Sequence, residues 1–166
     1  MFRPREECPK LPSPPLSSHT EVADLCLGWF WSPDAVFSAL PGVLNVVVGY
    51  AGGKESDPTY RSIKDHTEAV RVEFDPQVIS YEEILECYFK QLGRSMFYPS
   101  YSRQYRNAIL VHNTDQKCAA SAMIQRLSKE NEVHVTVQAA TDFYRAEEYH
   151  QKYFHKQKGI VACSRY

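Results

Sequence analysis

The segment HTEAVRVEF, residues 66–74, constrains the fold more than any other stretch of the chain. Val70, Val72 and Phe74 fall on one side of a period-two repeat, and Arg71, Glu73 and Asp75 fall on the other. That alternation is a β-strand, and Asp75-Pro76 ends it. The next segment, SYEEILECYFKQL (80–92), switches to a helical period, with apolar residues at 81, 84, 85, 88, 89 and 92. Ser80 and Glu83 have capping-box spacing, which fixes where that helix begins.

The flanking segments extend the alternation of element types. EVADLCLGWF (21–30) reads as a buried strand. SPDAVFSAL (32–40) reads as a helix, with Ser32 as its cap and Pro33 at its first position, and Pro41-Gly42 stops it. VLNVVVGYA (43–51) is a second strand rich in β-branched residues, and GGKESDPTY (52–60) is a loop. QYRNAILVH (104–112) is a fourth strand, TDQKCAASAMIQRLSKE (114–130) a helix, and EVHVTVQ (132–138) a further strand. RAEEYHQKYFHKQ (145–157) reads as a last helix, with Ala146, Tyr149, His150, Tyr153 and Phe154 on one stripe. The order predicts an α/β (α+β) fold: a ferredoxin-like βαββαβ core with an extra strand and helices. Residues 1–18 hold five prolines and read as an extended N-terminal tail, residues 19–158 as one domain, and residues 159–166 as a short C-terminal tail.

Composition removes several function classes. A formal net charge of −1 over 166 residues gives no electrostatic reason to expect nucleic acid or a membrane surface. No apolar run approaches the roughly 18 residues needed to cross a bilayer, so no membrane insertion is expected. The five cysteines are odd in number and form no CxxC, and the histidines lack HxxH or HExxH spacing. No metal and no other cofactor are expected. The thiol pattern and the missing apolar signal core point to an intracellular, reducing compartment, the cytoplasm by default. Glu6 and Glu7 beside Arg3 and Arg5 argue against a mitochondrial presequence, although an organelle is not excluded.

Glu68 is the sharpest chemical signal, because period two puts it on the apolar face of its strand. A carboxyl there is costly to ionise, so burial would raise its pKa and make it a general acid. The alternatives are an Arg or Lys partner, or a strand end that reaches water. Gly49, Gly52 and Gly53 in GYAGG mark either tight backbone beside a site or only a turn. Tyr60, Tyr105, Tyr144 and Tyr149 are candidate hydroxyl donors, each equally at home as a core residue. Cys26, Cys87 and Cys118 read as buried, inert thiols. GWFWS (28–32) sets two indoles between a strand and a helix, where many folds place a catalytic group.

Taken together, GWFWS, LPGV…VGYAGG (40–53), PTY (58–60), EAVRVEFDP (68–76), ISYEEIL (79–85), QYRNAI (104–109) and FYRAEEYHQKY (143–153) resemble the methionine sulfoxide reductase A family. The resemblance runs from about residue 21 to about residue 155 and implies the fold named above. It also implies reduction of methionine-S-sulfoxide in proteins without metal or flavin. In that family a cysteine at the strand–helix turn attacks the sulfoxide sulfur. A buried glutamate protonates the oxygen, tyrosines assist, and a C-terminal cysteine resolves the sulfenic acid for thioredoxin to reduce. Carried over by position, Phe30 and Trp31 are the walls of the methyl pocket, Glu68 the proton donor, and Tyr60 and Tyr105 the sulfoxide-binding hydroxyls. Cys163 lies roughly where the resolving cysteine would, without the family's glycine-rich tail.

Three positions depart from the pattern. Trp29 stands where the nucleophilic cysteine belongs, and a neutral indole cannot attack sulfur. Cys26 is a poor substitute, about 10 Å back along the strand on the opposite face. The acidic residue that precedes the QYR segment in the family is absent, with Ser100 in that region. The loop between Tyr60 and Glu68 is about four residues shorter than in the family, and an error of 1 Å in catalytic geometry is already expensive. These departures lead to the expectation of a catalytically impaired member serving as a binding or structural subunit of a larger assembly, with a protein partner. The alternative is an active peptide-methionine (S)-S-oxide reductase, with position 29 a misread selenocysteine or another cysteine recruited. A methionine sulfoxide peptide is then the substrate and thioredoxin the reductant.

Overall fold

In the computed structural model of the protein, the described residues are Lys10 and 20–156. Cys163, the C-terminal tail and, apart from Lys10, the proline-rich tail lie outside them. Six strands form one sheet: β1 (Glu21–Leu27), β2 (Val43–Ala51), β3 (Thr67–Phe74), β4 (Asn107–Val111), β5 (Thr136–Ala139) and β6 (Tyr144–Arg145). Their order across the sheet is β5-β4-β1-β3-β2-β6. Helix α1 (Trp31–Ser38) links β1 to β2, and α2 (Tyr81–Leu92) links β3 to β4, with α3 (Thr114–Leu127) after β4. The inner four strands therefore have the expected βαββαβ arrangement in antiparallel pairs, and β5 adds in parallel to β4.

The period-two pattern of β3 decides which residues meet the helices. Val70, Val72 and Phe74 join Ala23, Leu25, Val48 and Ile109 on one sheet face. Phe37, Ile84, Leu85, Tyr88 and Met123 cover that face from the helices. Burying a side chain the size of Leu85 contributes roughly 1.5–3 kcal/mol before entropy is counted. The capping box of α2 is present in both directions: the Ser80 hydroxyl accepts from the Glu83 N–H, and the Glu83 carboxylate accepts from the Ser80 N–H. The other sheet face is not simply solvated. It holds Cys26, Ala69, Ala108, Leu110 and Phe143, together with a buried Asp24–Arg71 pair.

Several expectations change; among them, the strand read over 132–138 begins only at Thr136. Helix α1 begins at Trp31, because the Phe30 carbonyl already accepts from the Asp34 N–H; Ser32 sits inside the first turn and caps nothing. The fourth strand starts only at Asn107, since residues 102–106 turn rather than extend. Cys118 is exposed on α3 rather than buried. Of the helix expected over 145–157 only residues 153–156 are helical; before them come the short strand β6, a single 3-10 turn (Glu148–His150), and an extended Gln151. Side chains of this segment bond to remote backbone and override the local stripe. The Gln151 amide donates to the Val48 and Ala146 carbonyls and accepts from the Val48 N–H, so it extends the β2 edge.

Candidate active site

Four segments converge on Glu68. The first is the β1–α1 turn. Gly28 leaves β1 at φ +83°, a conformation side chains rarely adopt, and a Cβ there would lie 3.2 Å from the Tyr105 carbonyl oxygen. Glycine thus lets the indole-bearing turn approach the loop that carries Tyr105. The second is the start of β3, which supplies Glu68 itself. The third is the 52–66 loop with Tyr60, and the fourth is residues 98–106 with Tyr105. The last of these is tied to β3 where the Glu68 N–H donates to the Gln104 carbonyl, at 3.0 Å.

The Glu68 residue is 4% exposed, and among the described residues no Lys, Arg or His lies within ion-pair distance of its carboxyl. Burial pushes its pKa up to about 7, against one weak hydrogen bond from the Gln104 amide at 3.4 Å. A large fraction of Glu68 therefore carries a proton at neutral pH. The Gln104 amide also reaches the Tyr105 hydroxyl, at 3.2 Å. Tyr105 titrates above its ordinary value because of burial first, then the Glu68 charge and the neighbouring Tyr60 hydroxyl. The 52–66 loop brings Tyr60 to Tyr105, and both tyrosines keep a solvent-facing edge. A carboxyl that keeps its proton up to about pH 7, with Tyr105 beside it and Tyr60 beside Tyr105, can donate to a polar oxygen.

The indole side is built differently. Phe30 is buried against Tyr50 and His150. Trp31 stacks on Tyr153 at 3.6 Å with 6° between the planes, and its Nε1–H donates to His150 Nδ1 at 3.0 Å. Trp29 is 56% exposed and meets Trp31 edge to face at 5.1 Å. It stands at the rim and does not fill the interior. The Ser100 hydroxyl, in the region where the family has an acid, accepts from the Asn107 N–H. Tyr149 lies against His150, whereas Tyr144 packs on His66 and lies across from Tyr50 in the sheet.

The three described thiols lie on β1, α2 and α3. Cys26 is fully buried on the opposite sheet face, and burial pushes its thiol up to about 12. Cys87 is partly buried on α2 and raised by burial, with Gln91 as its hydrogen-bond partner. Cys118 is exposed on α3. Among the described residues, no three His, Cys, Asp or Glu side chains are grouped to hold a metal ion, and no helix is long and apolar enough to cross a membrane. Sequence reasoning missed Gln104, Glu147 and His150. Gln104 sits within the QYR segment, and the other two within RAEEYHQ, so the motifs were visible while the contacts were not.

Comparison with known proteins bears on the whole domain. The family model described as peptide methionine sulfoxide reductase matches residues 21–165. A protein of Acidobacterium capsulatum named peptide methionine sulfoxide reductase MsrA is 41% identical over 150 residues, covering 82% of this chain and 94% of that one. Its namesake in Methanosarcina acetivorans is 38% identical, covering 85% and 80%. Among solved structures, methionine sulfoxide reductase A of Corynebacterium diphtheriae superposes with a TM-score of 0.71 at 25% identity, covering 85% of this chain and 76% of that one. Mxr1 of Saccharomyces cerevisiae in its reduced form gives 0.72 at 24% identity, covering 89% of each chain, and shares the fold.

Proposed function

The chain belongs to the peptide methionine sulfoxide reductase family, and from that premise we propose that its pocket takes methionine-S-sulfoxide side chains of proteins. Glu68 protonates the sulfoxide oxygen, Tyr60 and Tyr105 hold that oxygen, and Phe30 and Trp31 face the methyl group. The observation that carries this reading is Glu68, buried without a cation and half-titrated near pH 7, with Tyr105 beside it and Tyr60 beside Tyr105. On this reading the site is that of a peptide-methionine (S)-S-oxide reductase that retains Glu68, Tyr60 and Tyr105 for the oxygen, while attack on sulfur turns on residue 29.

With tryptophan at position 29, the pocket binds and polarises the sulfoxide but forms no covalent bond to sulfur. With sulfur or selenium there, the same pocket is a working reductase. The names of the relatives support the working form. Trp29, exposed at the rim with no described thiol to replace it, supports the impaired form. In the working form, the C-terminal Cys163 resolves the sulfenic acid and thioredoxin reduces the resulting disulfide. A yeast neighbour solved in complex with Trx2 has the same fold, with a TM-score of 0.58.

Reduction of a methionine-S-sulfoxide peptide with dithiothreitol tests the reading. The wild-type chain should bind the peptide and show no turnover above a protein-free control. Trp29→Cys should turn it over, and should leave the R epimer untouched. Turnover by the wild type would establish the working form as it stands. Failure of both proteins to bind the peptide would overturn the pocket assignment itself. The codon for residue 29 adds a cheap check: TGG fits tryptophan and TGA fits selenocysteine.

A further inference from the structure

Residues 144–152 run as a strap beside the site and are held at several points. The Ala146 N–H donates to the Val48 carbonyl, and Gln151 bonds to both polar groups of Val48. The Lys152 ammonium donates to Asp34, Ser38 and the Val46 carbonyl. Between these anchors the strap presents Glu147 and His150, which the reaction above does not use.

Glu147 has a side chain only 6% exposed, and among the described residues no Lys or Arg lies within ion-pair distance of it. A carboxylate that deeply placed needs donors. It takes them from the Tyr50 hydroxyl on Oε2 and from the Tyr60 backbone N–H on Oε1, each at 2.8 Å. Tyr50 is fully buried and is the cross-strand partner of Glu68, so the two share a sheet face. Glu147 therefore ties the main chain of the Tyr60 loop to the strand pair that holds the acid. Nearest that anchor, the loop is held by the reciprocal Thr59–Ser62 backbone pair, and further along by Asp65, whose carboxylate accepts from the Lys54 and Glu55 N–H groups.

His150 is 1% exposed and does the corresponding work on the indole side. Because Nδ1 accepts from Trp31, the ring proton of neutral His150 belongs on Nε2. Nε2 is buried without a hydrogen-bond partner, 3.8 Å from Glu147 Oε2. The ring packs against Phe30, Tyr60 and Tyr149. The acceptor on Trp31 is thus a choice that burial alone does not require, since it leaves a donor unused.

We propose that Glu147 and His150 are the positioning pair of the site, Glu147 setting the Tyr60 hydroxyl arm and His150 setting the Trp31 wall. The consequence for catalysis rests on the reading given above; the positional part does not. The experiment uses the full chain in wild-type and Trp29→Cys forms, with Glu147→Gln, His150→Phe and His150→Asn added singly. Amide and indole NMR spectra report Tyr60 N–H and Trp31 Nε1–H, and thermal unfolding is followed in parallel.

Glu147→Gln keeps the shape but puts an NH2 against one of two donors, so the Tyr60 amide moves upfield. In the Trp29→Cys form kcat on the sulfoxide peptide falls about 10- to 100-fold with KM within threefold. His150→Phe keeps the packing and loses the acceptor, so the Trp31 indole resonance moves and KM rises several-fold. His150→Asn, whose amide oxygen replaces Nδ1, brings both back. Unmoved resonances overturn the proposal. So do moved resonances with kcat and KM unchanged, or losses that merely follow the melting temperature. If the Trp29→Cys parent neither binds nor turns over the peptide, the functional reading fails, and the spectra still decide the positioning pair.

Discussion

Asp24 and Glu68 sit on neighbouring strands, point to opposite faces of one sheet, and are both buried. Asp24 lies directly across from Arg71, which grips it with two hydrogen bonds of 2.8 Å, and His112 Nε2 adds a third contact at 2.9 Å. Burial alone would raise the Asp24 pKa, but the hydrogen bonds and charges of Arg71 and His112 outweigh it, and the carboxyl titrates below its ordinary value. Glu68 receives only the long contact from Gln104, and burial prevails. Two buried carboxyls therefore shift in opposite directions, and the neighbour on the adjoining strand decides which way. One is a fixed charge that ties strands β1 and β3 together. The other keeps its proton up to about pH 7.

The largest expected effect breaks the fixed charge. Arg71→Met leaves Asp24 buried without its main partner, which should cost about 3–5 kcal/mol. At roughly 2–4 °C per kcal/mol for a domain of this size, the melting temperature at pH 7 drops by about 10 °C. Asp24→Leu combined with Arg71→Met should recover much of that loss, since an apolar pair of similar volume replaces a buried ion pair at little cost. A single variant within 1 kcal/mol of the parent would break the comparison, because Asp24 would then be stable without its cation.

The next effect separates the two carboxyls by sign. The folded pKa of Glu68, about 7, lies above its ordinary 4.5. Its contribution to stability is thus fully present below pH 4.5 and lost as pH rises through 7. Asp24 is the reverse: its contribution is present above pH 3.8 and lost as pH falls through its lowered value. Glu68→Gln should leave stability at pH 4 unchanged and raise it at pH 9, by about 1–2 kcal/mol after discounting for nearby water. In the Trp29→Cys form the same substitution removes the proton donor and should lower kcat/KM about 10²- to 10⁴-fold. Stability gained at alkaline pH together with activity lost is the signature of an acid held neutral for function. A variant less stable than its parent at pH 9 would show that Glu68 has a cationic partner after all.

His150 gives a smaller effect on the acid side. Burial lowers its pKa from the ordinary 6.5, with Glu147 opposing the shift. Its contribution is present above pH 6.5 and lost as pH falls below that value. Protonation would also set Nδ1–H against the Trp31 N–H, so the indole resonance should move as pH drops. In His150→Asn both the stability loss and the movement of the indole resonance between pH 6.5 and 5 should vanish. Persistence of either would assign the titration to another group.

The comparison also marks what was legible in the sequence. The side of β3 on which Glu68 falls was readable, because side-chain alternation is local and its period is strict. The βαββαβ order and the capping box of α2 were readable for the same reason. Arg71 was readable only as a member of the other face. Its burial comes from Asp24, 47 positions away, and no local pattern encodes that pairing. The same limit explains the last helix. Ala146, Tyr149 and His150 do have helical spacing, yet Gln151 and Lys152 bond to β2 and α1 at separations above 100 residues, and those bonds prevail. Motif resemblance placed Glu68, Tyr60, Tyr105 and Trp29 in one neighbourhood. It gave no hint that Gln104, Glu147 and His150 hold that neighbourhood together, because their work lies in contacts and not in residue type.

The smallest effect sharpens the comparison by asking how many partners a buried charge needs. His112 touches Asp24 from the end of β4, and its side chain is 18% exposed, unlike the nearly inaccessible Arg71. His112→Ala removes one hydrogen bond from Asp24 but opens a path for water to the same carboxylate oxygen. Water returns much of the lost interaction, so the cost should be about 0.5–1.5 kcal/mol, well under that of Arg71→Met. The ratio of the two losses, measured by urea unfolding at pH 7, is the informative quantity. If His112→Ala costs as much as Arg71→Met, the Asp24 charge is held by a cooperative triad, and a single long contact such as that from Gln104 to Glu68 falls far short of one. If it costs little, the bidentate cross-strand arginine suffices, and placing one arginine opposite Glu68 would be enough to turn the acid into a second fixed charge.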